Sequence, residues 1–94
     1  MVTLSAVASE GYVDLGERVR TARAATVEKL RARLSRAVDD GELPAALDVQ
    51  ALARFVQNVQ YGMALLARDE VSADELTEVA RIAMAGFDAW VARA

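Results

Sequence analysis

Between Leu47 and Trp90, apolar residues recur every third or fourth position in two blocks, the spacing that places them on one face of a helix. The first block aligns Leu52, Phe55, Val56, Val59, Met63 and Leu66, with Gly62 at its margin. The second aligns Leu76, Val79, Ala80, Ala83, Met84, Phe87, Trp90 and Val91. Start chemistry precedes each block. Asp48 is placed to cap free backbone N–H groups between the staple residues Leu47 and Leu52, and Ser72 with Glu75 forms an S-x-x-E capping box flanked by Val71 and Leu76. Only a few residues near Asp69 to Val71 are left to turn the chain, which predicts an antiparallel helical hairpin.

Each hairpin helix also carries a second, narrower stripe: Arg54, Asn58, Tyr61 and Leu65 on the first, and Ile82, Gly86, Ala89 and Arg93 on the second. A helix that is apolar beyond one face is covered on a second side. Gly62 and Gly86 each cost a helix about 1 kcal/mol relative to alanine, which a close helix contact would explain. The covering partner is either the rest of this chain or another copy of it.

Upstream, Met1 to Glu10 is mildly apolar, with helical propensity and no cap, and predicts a short helix that Gly11 and Tyr12 break. Asp14 with Glu17 then reads as the start of a long helix running to about Asp40. Its apolar stripe is thin: Leu15, Val19, Ala22, Thr26, Leu30 and Ala37, with Val27 and Leu34 alongside. Gly41 ends this helix, and Pro44, which has no N–H to donate, keeps Leu43 out of it.

Composition narrows the chemistry. A chain of 94 residues, 54% hydrophobic and with one proline, is a single all-α domain spanning residues 1–94. It has no cysteine and no histidine, so disulfides, thiolate nucleophiles, Cys/His zinc sites and Ser-His relays are unavailable. No cofactor is implied. No apolar run approaches a bilayer span and MVTLSAVAS lacks the basic start of a signal peptide, so the expected location is the cytoplasm, away from membranes.

Seven of the eleven basic residues lie on the long helix (Arg18, Arg20, Arg23, Lys29, Arg31, Arg33 and Arg36), while the whole chain carries a formal charge of -3. A nucleic-acid surface wants such residues on one face of a basic domain. Here they scatter around the helix, and Glu17 to Arg20, Glu28 to Arg31, and Arg36 to Asp39 and Asp40 fall at pairing distance, which describes a solvated, self-paired surface. The acidic cluster Asp69, Glu70, Asp74, Glu75 and Glu78 lacks the ligand spacing of a calcium loop and fits acids at a helix start. In the middle of the first hairpin helix, Gln57, Asn58, Gln60 and Tyr61 are either the polar groups of a ligand cavity or an outer face. A cavity there would be lined by Phe55, Gln57, Asn58, Val59 and Met63 and would suit a small apolar or aromatic molecule.

The stretch GELPAALDVQALARFVQNVQYGMALLARDEVSADELTEVARIAMAGF carries a family resemblance. An Arg-rich helix ends in Gly-Glu-Leu-Pro, Leu-Asp-x-x-Ala-Leu-Ala-Arg opens the next helix, Gly62 and then Ala-Leu-Leu-Ala-Arg follow, and Ser72-Ala-Asp-Glu-Leu caps the last. From about Asp14 to Phe87 the chain resembles the C-terminal regulatory domain of the TetR family of bacterial transcriptional repressors. The resemblance implies that the hairpin pairs with its copy into a four-helix dimer interface and that small ligands enter beside the first helix of the pair. On that basis Tyr61, Gly62, Leu65, Ile82, Gly86, Ala89, Trp90 and Arg93 are the expected homodimer contacts. The family's helix-turn-helix has no counterpart in Met1 to Tyr12, so DNA would be reached only through an N-terminal domain outside this sequence. The chain is then either a fragment or a short protein that dimerises without DNA.

The architecture expected is all-α: a short N-terminal helix, one long helix and a C-terminal hairpin, dimerising as a four-helix bundle. The expected function is ligand sensing and homodimerisation, without catalysis. Two alternatives are a stand-alone helical module that docks a partner protein through Tyr61, Leu65, Ile82 and Gly86, and a small all-helical enzyme of the chorismate-mutase kind. The enzyme fits poorly because the basic residues mostly face outward and no His or Cys assists.

Overall fold

The computed structural model describes the backbone of residues 4–94 and the side chains of positions 11 and 13–94. The described residues form three helices and no strand: α1 (Leu4–Asp39), α2 (Val49–Arg68) and α3 (Ala73–Arg93). The all-helical expectation holds, but the division of the N-terminal third does not. α1 runs unbroken through Gly11 and Tyr12, so the separate short helix is absent among the described residues. Asp14 does not start a helix; from within α1 it pairs with Arg18 one turn on, at 3.0 Å. A glycine in a helix costs only about 1 kcal/mol, which the Ala- and Leu-containing neighbours on both sides outweigh. The first three residues of that predicted short helix, Met1 to Thr3, lie outside the described residues.

Both N-caps form as expected. The Asp48 carboxylate accepts from the Ala51 N–H at 3.0 Å, and the Ser72 hydroxyl oxygen accepts from the Glu75 N–H at 3.2 Å. The C-termini of α1 and α2 close in the same way. Gly41 (φ 79°) donates to the Val38 carbonyl and Glu42 to the Ala37 carbonyl, the paired bonds of a Schellman motif. At the end of α2, Glu70 donates to Ala67 and Val71 to Leu66 in the same pattern, but here a glutamate occupies the left-handed position, with φ 65°. A side chain with a Cβ is disfavoured in that conformation by about 1 kcal/mol or more. Glu70→Gly is therefore expected to stabilise the chain by about 1 kcal/mol, read as a rise of several degrees in a thermal melt. An unchanged or lower midpoint would show that the turn is not held in this conformation.

α2 lies between the other two helices. It packs against α1 and α3, while α1 and α3 nowhere come within 8 Å of each other, Cα to Cα, among the described residues. The N-terminal half of α2 lies beside the C-terminal end of α3, with Leu52 and Phe55 facing Gly86, Phe87 and Trp90, so the hairpin is antiparallel. The core is small: Val27 and Ala37 from α1, Leu47 from the linker, and Leu52 and Ala53 from α2. Its position follows from where α1 meets α2. Val27 and Ala37 are buried and Leu30 and Leu34 half-buried, whereas Leu15 and Val19, on the same stripe, are exposed. The N-terminal half of α1 thus extends past α2, and the molecule measures 60 × 33 × 16 Å, with a radius of gyration of 18.1 Å. A compact chain of this length has about 12 Å.

Candidate functional site

A groove of about 650 Å³ runs between α1 and α2, lined by Arg20, Arg23 and Ala24 from α1 and by Ala51, Arg54, Phe55, Gln57, Asn58 and Tyr61 from α2. Helical spacing assembles it. Arg20, Arg23 and Ala24 stand seven, four and three residues before the buried Val27, and so share the face of α1 that meets α2. Arg54, Gln57, Asn58 and Tyr61 follow the same period along α2. The volume falls within the range of small-molecule sites.

Gln57 ties the two walls together. Its side-chain N–H donates to the main-chain carbonyl of Arg23 at 2.7 Å, and its Oε1 accepts from Arg54 Nη1, also at 2.7 Å. Arg23 in turn lies over the Tyr61 ring, 5.4 Å from its centroid, a cation–π arrangement. Among the described residues no acidic side chain lines the groove. The ion pairs among the described residues lie elsewhere: Arg18 with Asp14, Arg31 with Glu28, and Arg81 with Glu78.

Of these pairs Arg31–Glu28 is the most developed. Arg31 Nε donates to both Glu28 oxygens at 3.1 and 3.0 Å, and Nη2 donates to Oε1. Those hydrogen bonds hold the Glu28 carboxyl below its ordinary range. A carboxylate lowered in this way contributes stability that is fully present at neutral pH and lost as pH falls through its folded value. Glu28 is exposed and Arg31 only half-buried, so water and salt screen the pair and its contribution is small.

The expected pocket residues divide. Phe55, Gln57 and Asn58 line the groove, whereas Val59 and Met63 are half-buried outside it. Tyr61, expected at the dimer contact, lines the groove on the α1 side with Arg23 over its ring, and remains 54% exposed. Of the remaining expected dimer residues, Gly62 is half-buried while Leu65, Ile82, Gly86, Ala89, Trp90 and Arg93 are exposed. Gly86 and Trp90 border a second, smaller crevice between α2 and α3 of about 320 Å³, and Arg93 lies 5.3 Å from the centre of the Trp90 ring. A Cβ placed on Gly62 or Gly86 meets nothing within 4 Å, so no close contact among the described residues accounts for either glycine.

Arg20 and Arg23 were not expected in a site. Their spacing from Val27 was the available signal, but a sequence without a known helix partner does not say which flank of α1 is covered. The expected Glu28–Arg31 pair forms, while Glu17–Arg20 and Arg36 with Asp39 or Asp40 are not paired among the described residues. No group of three or more acidic side chains comes together to hold a metal among the described residues, and Glu78 of the acidic cluster pairs with Arg81 at 3.4 Å. No helix of the described residues is long and apolar enough to cross a membrane. In comparisons with known proteins, no family model matches the chain, and no curated protein and no solved structure is significantly similar to it.

Proposed function

We propose that the chain is a homodimerisation and ligand-sensing domain of the kind found in TetR-type repressors, with no catalytic role of its own. The observation that carries this is α3: across 21 residues that include Leu76, Val79, Ile82, Met84, Phe87, Trp90 and Val91, not one is buried. Such a helix gains too little from packing on α2 alone, since most helical stability in proteins comes from a covered apolar face. The total exposed area supports the same conclusion. The chain exposes 7211 Å², whereas a compact monomer of 10.1 kDa exposes about 5,300 Å². The excess of about 1,900 Å² exceeds the roughly 800 Å² that each partner contributes to an ordinary stable interface. Val79, Ile82, Gly86, Trp90 and Arg93 follow one exposed stripe of α3, the surface we assign to the two-fold interface. In this reading the α1–α2 groove takes the ligand.

A second reading, a helical module docking a different protein, draws on Val13, Leu15 and Val19, which are exposed where α1 extends past α2. Light scattering on the purified chain separates the two. The expected mass at tens of micromolar is twice 10.1 kDa. A monomer at that concentration would overturn the dimer and favour the docking module.

A further inference from the structure

We propose that the α1–α2 groove binds an organic anion with an aromatic body and a single carboxylate, a class more specific than the apolar ligand of the proposed function, on which this inference rests. Three guanidinium groups, from Arg20, Arg23 and Arg54, line one groove in a chain whose formal charge is -3. Among the described residues none has a carboxylate partner, although three other arginines do. Guanidinium groups with no counter-charge, beside low-dielectric walls, focus a positive potential that favours an anion.

Two of the three are also held in place before any ligand arrives. Arg54 is fixed by Gln57, which is itself anchored to the α1 backbone, and Arg23 rests on Tyr61. Such placement reduces the ordering cost of binding. Gln57 thereby becomes a positioning residue, with its amide engaged at both ends. The rest of the lining selects the body of the ligand: Phe55 and Tyr61 present rings and Ala24 and Ala51 leave room beside them. A phosphate or sulfate would use the arginines and leave this apolar lining empty, and a neutral aromatic would leave the guanidinium groups unused.

The test is titration calorimetry on the full chain with 2-naphthoate and its neutral isostere 2-naphthamide, at low and at physiological salt. The expected result is saturable naphthoate binding that weakens with salt, with the amide at least about tenfold weaker, as charge-assisted hydrogen bonds imply. Arg54→Gln should lower naphthoate affinity at least about tenfold and leave naphthamide unchanged, while Arg33→Gln, outside the groove, should change neither. Circular dichroism of each variant checks that the helices remain. Equal binding of acid and amide would overturn the anion inference and leave a ligand-binding groove. Failure of both compounds to bind a chain that light scattering shows to be dimeric would overturn the inference and leave the dimer standing. Binding of poly-glutamate or duplex DNA in place of naphthoate would overturn it in favour of a polyanion surface.

Discussion

Replacing Gly86 with glutamate is expected to leave the chain folded and to weaken self-association by roughly two to nearly four orders of magnitude, the equivalent of about 3–5 kcal/mol for an unpaired charge buried at an interface. Within one chain Gly86 is exposed and a Cβ there has no neighbour within 4 Å, so the new carboxylate can turn to solvent, and glutamate is the better helix former. Loss of the dimer would therefore not be loss of the fold. Gly86→Ala sharpens the test, since its two effects have opposite signs. The dilute monomer should gain about 1 kcal/mol, while two helices crossing at Gly86 would be held apart by the added methyl groups and the dimer would weaken. Glu78→Ala removes only an exposed pair with Arg81 and should change neither. Sedimentation for mass and thermal melts for stability read the two quantities separately. A Gly86→Glu chain that remains dimeric would remove α3 from the interface.

The second large effect is expected in the core. Leu52 is 4% exposed, and truncating a buried leucine to alanine costs about 2–5 kcal/mol. The chain has few residues to share that loss, because among the described residues only Val27, Ala37, Leu47 and Ala53 are buried beside it. Leu52→Ala should lower the melting midpoint by at least about 10 °C and shift the urea transition in the same sense. Val13→Ala, at a position 60% exposed, should stay within about 0.5 kcal/mol of the parent chain. Similar midpoints for the two variants would mean that the α1–α2 contact does not organise the fold.

Elements whose signals are local were legible in the sequence. Asp48, Ser72 and Gly41 perform the capping that their residue types imply, and the hairpin follows from the shortness of its turn. Signals that depend on competition were not. At Gly11 and Tyr12 a break was expected where the cost of one glycine is outweighed by helix formers on either side. At Glu70 a left-handed residue closes α2 with no glycine to announce it. The groove shows a third kind of limit. The stripe carrying Arg54, Asn58 and Tyr61 was visible as periodicity, but periodicity does not identify the covering partner, and it is α1 that stands beside these three residues. Gln57 read as a ligand contact because an amide in an apolar helix is unusual, whereas its two hydrogen bonds join Arg54 to the α1 backbone.

The free part of α1 also has a mechanical meaning. From Leu4 to the buried Val27 it is a helical arm of roughly 35 Å, tied to α2 on the way where Gln57 donates to the carbonyl of Arg23. Each degree of tilt about Val27 would move the far end by about 0.6 Å, so a tilt of about 5° would displace it by about 3 Å, given a straight helix of this rise. Arg23 is also a wall of the groove. A molecule that moved Arg23 from Arg54 by a fraction of an ångström would, about Val27, move the tip several-fold further.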